Sequence, residues 1–136
     1  MRTSIFPANK GRTEHIYEQV NMDRIKIAKH IYKSRIARKD FLPLSIFGEP
    51  AWDILIDLFI AESDDQNITV SSACIASQVP STTALRYIAM MEKEGLVRRS
   101  PDERDQRKIH LTLNHSARVC VEHVLDYQIA LLREIL

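Results

Sequence analysis

The stretch EGLVRRSPDERDQRKIHLTLN, residues 94–114, decides the fold. Six of the seven positions from Asp102 to Lys108 are charged, and both signs are present. Before the run, Leu96-Val97-Arg98-Arg99 has strand character. After it, from Lys108 to Leu113, Ile109, Leu111 and Leu113 alternate with His110 and Thr112, the period of a second strand. Two strands joined by a polar turn predict a hairpin with a charged tip.

Upstream, Gly95 stands where a helix ends in a left-handed residue. The helix it closes runs from about Thr82 to Glu94, with Ser81 or Thr82 as cap. Ala84, Ile88 and Met91, with Leu85, are expected in its core face. Val79-Pro80 makes a tight connection to a shorter helix capped by Ser71 or Ser72 and preceded by the extended Ile68-Thr69-Val70. Further back, Pro50 suits a first helical turn. The segment from Pro50 to about Glu62, with Trp52, Ile54, Leu55, Leu58, Phe59 and Ile60, is apolar almost all round and reads as the central helix.

Toward the N-terminus, Asp23 is a plausible cap for an amphipathic helix over residues 24–39. Its apolar face holds Ile25, Ala28, Ile31, Tyr32 and Ile36. Its other face, Lys26, Lys29, Lys33, Arg35 and Lys39, reads as solvated. Residues 1–22, punctuated by Pro7 and Gly11, read as an arm or loop with one helical turn near Ile16 to Val20. After the hairpin, Asn114 or Ser116 opens a last helix that carries more than one apolar stripe. A second apolar face needs a cover, and a symmetric copy is the simplest one. The expected interface residues are Ile31, Val121, Val124, Leu125, Leu132 and Ile135.

Composition agrees with one mainly helical domain: 136 residues, 45% hydrophobic, with Gly at 3. The net charge of +1 makes any nucleic-acid binding a matter of charge placement. Cys74 and Cys120 lie far apart and read as reduced thiols, which with the absence of a leader-like apolar region or an 18-residue apolar run leads to the expectation of a cytoplasmic, non-membrane protein. No metal-ligand spacing, nucleophile–base order or phosphate loop is present in the sequence, so neither a cofactor nor an enzyme is expected.

Two helices across a tight turn, followed at once by a hairpin, define a helix-turn-helix with a wing. In that frame Ser81, Thr82, Thr83 and Arg86 lie at the start of the recognition helix. Arg86 can pair with a guanine edge, and the hydroxyls can bond phosphates or bases. Arg104 is expected at the wing tip, Arg107 on a phosphate, and one of Arg98 and Arg99, assigned to Arg99, on the DNA side. Asp102 and Asp105 would shape the turn and hold the arginines in register.

Residues 94–114, with Gly95-Leu96-Val97 followed by Asp102-Glu103-Arg104-Asp105-Gln106-Arg107, resemble the MarR family of bacterial winged-helix regulators, whose wing reads Asp-x-Arg-Asp-x-Arg. The resemblance implies a homodimer bound to double-stranded DNA, with recognition helices in major grooves and wings in minor grooves. It also implies a possible small, often aromatic, effector between the dimer helices and the DNA-binding lobe. The expected organisation is an arm over 1–22, an N-terminal dimerisation helix and linker over 23–45, a winged helix-turn-helix over 46–113 and a C-terminal dimerisation helix over 114–136. The chain departs from the family pattern at Ser81, where a long polar residue is frequent, at Gln78, where helix-turn-helix units often have Gly, and in the shortness of the N-terminal helix as read here. Two other readings stand beside this one: a winged helix that binds protein instead of DNA, and a thiol sensor in which His123 activates Cys120.

Overall fold

The computed structural model describes residues 2–42 and 48–136, with side chains described for 11–38, 40–42 and 48–136. The element order is α1 (Arg2–Phe41), α2 (Pro50–Ser63), β1 (Ile68–Thr69), α3 (Val70–Ala76), α4 (Ser81–Lys93), β2 (Val97–Pro101), β3 (Ile109–Leu113) and α5 (His115–Ile135). The fold is mainly helical with a three-stranded antiparallel sheet in the order β1-β3-β2.

α2 is the hub. Pro50 opens it, as its fixed backbone angle permits. Ile54, Ile56, Leu58 and Phe59 are all buried, and the other elements close round them. The core continues through Ala73 and Cys74 of α3, Ala84, Ile88 and Met91 of α4, Val97, Leu111 and Leu113 of the sheet, and Ala117, Val121 and Leu125 of α5. At the last turn of α2, Glu62 accepts the Leu113 backbone N–H at 2.9 Å and an Arg118 guanidinium N–H at 2.6 Å. Arg118 lies over the Phe59 ring at 4.9 Å, so one acid joins α2, β3 and α5.

The N-terminal region differs from the sequence reading. α1 is one helix of 40 residues, about 60 Å long, which takes in the stretch read as an arm and carries Pro7 and Gly11. Asp23 lies inside it and caps nothing. Asp23 faces Arg133, and beside it Arg24 donates to Glu122 at 2.6 Å and to Asp126 at 2.7 Å, tying α1 to α5. The helix ends at Phe41, before Pro43, where the residue preceding a proline is pushed out of helical backbone. The linker expected at 43–45 and the first residues of the unit expected from 46 fall outside the described residues, as does the Lys39 side chain.

On the basic face of α1, Lys26, Lys29 and Lys33 are exposed as expected, but Arg35 is not. Its guanidinium is largely buried against Asp53 and Glu49. Burial pushes the Asp53 carboxyl up, outweighing the opposing pull of Arg35. Asp57, one turn on, has a buried carboxylate oxygen with no hydrogen-bond partner among the described residues, and burial raises its pKa too.

Local signals placed most boundaries within a residue or two. Gly95 adopts φ +77 after α4. Thr69, instead of Ser71 or Ser72, caps α3 by accepting the Ser72 N–H. No side chain caps α4, whose N-cap is Pro80. Gln78, at the site flagged for glycine, has φ 64, and its side chain donates to the Tyr32 hydroxyl at 3.3 Å. That hydroxyl in turn donates to the Ala76 carbonyl at 3.0 Å, so α1 is latched to the turn between α3 and α4.

Two stability outcomes follow. Phe59→Ala should cost about 3–5 kcal/mol in chemical denaturation, because the ring is fully enclosed and carries Arg118. For Asp57, a raised folded pKa means that the carboxyl favours the fold below its unfolded pKa, near 4, and loses that contribution as pH rises through the folded value. Asp57→Asn should therefore raise the Tm at pH 7, with the gain shrinking toward pH 4; a Tm gain independent of pH would contradict this.

Candidate nucleic-acid interface

α3 and α4 meet across the Gln78 turn, and the sheet hairpin stands beside them. α4 buries Ala84, Ile88 and Met91, which turns Thr82 and Arg86 outward. Ser81 is exposed at the first helical position, and Thr83 is half-buried on the flank. Arg86 is exposed, and no carboxylate pairs with it among the described residues. Leu85, expected in the core, is instead 41% exposed, because it sits about a quarter-turn off the line through Ala84, Ile88 and Met91.

β2 and β3 pair in register from Val97↔Leu113 to Pro101↔Ile109. The inward positions Val97, Leu111 and Leu113 are buried, which fixes which way the hairpin faces. Beyond Pro101 the tip is built on its acids. Asp102 accepts the Asp105 N–H at 2.9 Å, and its other oxygen meets His110 Nε2 at 2.9 Å. Asp105 accepts the Arg107 backbone N–H at 3.0 Å and its Nε–H at 3.2 Å. The Lys108 N–H closes the turn on the Asp105 carbonyl at 3.0 Å.

These bonds hold both acids below the ordinary carboxylate range. For Asp102 the main cause is the His110 hydrogen bond, then the Asp105 amide; for Asp105 it is the Arg107 side chain, then its amide. Hydrogen bonding thus favours the ionised form of both acids, and the sequence reading of them as wing-shaping residues has a geometric basis. The bonds leave the Arg107 side chain 91% exposed and Arg104 exposed, and among the described residues no carboxylate forms an ion pair with the Arg104 guanidinium. Arg99 differs: it pairs with Glu92 of α4 at 3.5 Å, and it braces the wing against the helix.

His110 is the residue sequence reasoning passed over. Strand alternation pointed it away from the core; the register also sets it across the hairpin from Ser100, where it reaches Asp102. That register was the signal that could have found it.

The residues expected at a subunit interface divide. Val121, 3% exposed, and Leu125, 0% exposed, are spent inside the chain's own core and offer no surface. Ile31 is half-buried against that core. Val124, Leu132 and Ile135 stay exposed, together with Tyr127 and Leu131 of α5 and Ile16, Tyr17 and Met22 of α1. Cys74 is buried, and burial pushes its thiol up, while Cys120 is exposed on α5. A cleft of about 350 Å³ beside α1 is lined by Lys26, Lys29, His30, Tyr32, Lys33 and Ile60. Among the described residues no helix is long and apolar enough to cross a membrane, and no three His, Cys, Asp or Glu side chains gather as metal ligands.

No protein-family model and no curated protein sequence matches this chain. Its shape does find relatives. AbsC, a MarR family transcriptional regulator from Streptomyces coelicolor, aligns with a TM-score of 0.54 at 20% identity, over 90% of this chain and 77% of that one. S. aureus MepR in its DNA-binding conformation aligns at 0.53 and 18% identity, over 82% and 80% of the two chains. YusO from Bacillus subtilis aligns at 0.52 and 15% identity, over 100% and 84%. The chain thus has the winged-helix fold of MarR regulators, as residues 94–114 led one to expect.

The Asp102 contacts make a local prediction. In Asp102→Ala the Asp105 amide should exchange with deuterium markedly faster, while the β2–β3 ladder amides keep their protection. Unchanged exchange at Asp105 would show that Asp102 does not hold the tip.

Proposed function

We propose that this chain is a homodimeric, sequence-specific double-stranded DNA-binding regulator of the MarR type, cytoplasmic and without enzymatic activity. The observation that carries the reading is the pairing of two exposed cationic features on one unit: Arg86 with Ser81, Thr82 and Thr83 on α4, and Arg104 with Arg107, whose guanidinium also rests on Asp105, on a wing tip organised by Asp102 and Asp105. Arg86 suits a guanine edge in the major groove. Arg104 suits the minor groove, where the potential is most negative, and Arg107 a phosphate. Arg99 serves this site indirectly, through Glu92.

The dimer reading rests on surface left without cover. Residues 11–19 of α1 are all exposed, and α5 ends in exposed Tyr127, Leu131, Leu132 and Ile135. An isolated helical segment this short of contacts is marginal in water. A two-fold partner covers both helices at once and sets two α4 helices about one DNA turn apart. The organisation that follows is a dimerisation unit of α1 and α5 around a winged helix-turn-helix of α2 to β3. The cleft beside Tyr32, apolar at its wall and ringed by Lys26, Lys29 and Lys33, suits a small anionic aromatic effector.

The test is fluorescence anisotropy with a random duplex pool across a salt series. Wild type should bind with a steep salt dependence. Arg104→Ala should lower the log–log salt slope by about 1 per wing, and Arg86→Ala should cost about 1–3 kcal/mol and relax the choice of one base pair per half-site. A folded dimer that binds no DNA at low salt would instead favour a protein-binding winged helix.

A further inference from the structure

The outward face of α4 is not built like a face that meets only water. Opposite the buried Ala84, Ile88 and Met91 stand Thr82, Arg86, Ala89 and Lys93, with Leu85 on one shoulder and Met90 on the other, and all six are exposed. From Ser81 to Met91, Arg86 is the sole charged residue, in a chain that is 27% charged. A solvated helix face normally carries charges at such positions. Over that span aliphatic side chains flank Arg86.

Position narrows the choice among them. A recognition helix reaches base edges with its N-terminal half. Leu85 lies there, one residue before Arg86 and one turn from Ser81 and Thr82. Met90 lies toward the other end. In the major groove the feature that an aliphatic side chain matches is the C5 methyl of thymine, and the feature that a guanidinium matches is the O6 and N7 pair of guanine. A protein partner is the weaker fit for this surface. Arg86 and Lys93 share the face, and the exposed Arg104 and Arg107 stand on the adjoining wing, so the expected occupant is a polyanion.

We propose that Leu85 is a specificity-determining residue: it packs on a thymine methyl beside the base pair read by Arg86. The inference rests on the DNA-binding reading above and adds the base that the helix selects next to guanine. The arrangement also accounts for an exposed leucine where the helix had room for a charge.

The experiment begins with an operator selected from the random duplex pool. Each thymine is then replaced singly by deoxyuridine, which removes only the methyl group, in one half-site and then in both. For wild type, one thymine position should respond, with affinity falling about 4-fold for one half-site and about 15-fold for both. Leu85→Ala should bind the thymine and uracil duplexes equally at that position, while keeping the salt dependence of wild type. The side chain is exposed, so the variant should fold; if it does not, Leu85→Gln, polar and of similar length, takes its place. Salt-dependent binding with no thymine that responds would overturn the inference and leave DNA binding standing. A uracil penalty as large in the Leu85 variant as in wild type would overturn the assignment to Leu85. No DNA binding by the folded protein would overturn both.

Discussion

Everything in this molecule depends on covering α2. A helix with apolar side chains on every side cannot stand at a surface, so α1, α3, α4, the sheet and α5 must all close on it. The polar terms then decide how they close. Glu62 fixes the end of β3 and the start of α5 to the last turn of α2, and Arg118 spans that junction while resting on Phe59. Arg24 joins α1 to α5 through two carboxylates, and Arg35 joins α1 to the start of α2. The partly buried pairs give the hydrophobic packing its registry, which non-directional burial alone does not supply.

The wing works by the same logic at a smaller scale. Its tip has no core, so its shape comes from acids accepting backbone N–H groups. Mixed charge is therefore a division of labour. Asp102 and Asp105 spend their oxygens on the turn, and the cations of Arg104 and Arg107 remain exposed. A purely basic tip would have had self-repulsion and no turn-forming acceptors. His110 steadies Asp102 from the neighbouring strand, so the tip inherits the rigidity of the sheet.

Much of this was legible in the sequence, for physical reasons that can be named. The strand period around the charged run, Gly95 after α4, Pro50 before α2 and the apolar spacing of Ala84, Ile88 and Met91 are local signals, and the structure follows them. The failures came where tertiary contacts override local ones. Pro7 and Gly11 suggested a break, yet α1 runs through both. Asp23 resembled a cap because nothing in the sequence reveals the Arg133 that faces it. Val121 and Leu125 were assigned to a partner because α5 has two apolar stripes, and periodicity does not say which stripe is spent on the chain itself. The Arg35 pairing, Glu62 and the Tyr32 latch join residues distant in sequence, and no spacing rule finds them.

The pairing of β1 with β3 has a consequence for the order of assembly. Ile68 sits opposite Leu111, so this short ladder encloses all of α3, α4 and β2 in one loop. Closing a loop of that size is entropically unfavourable until the helices within it have shortened the chain. The middle strand of the sheet is also the last to leave the ribosome, since β3 follows every other element except α5. During synthesis α2 therefore waits with part of its apolar surface uncovered, and the domain becomes complete only when β3 and Arg118 arrive at Glu62. The interval before that is when the nascent chain is most exposed to aggregation.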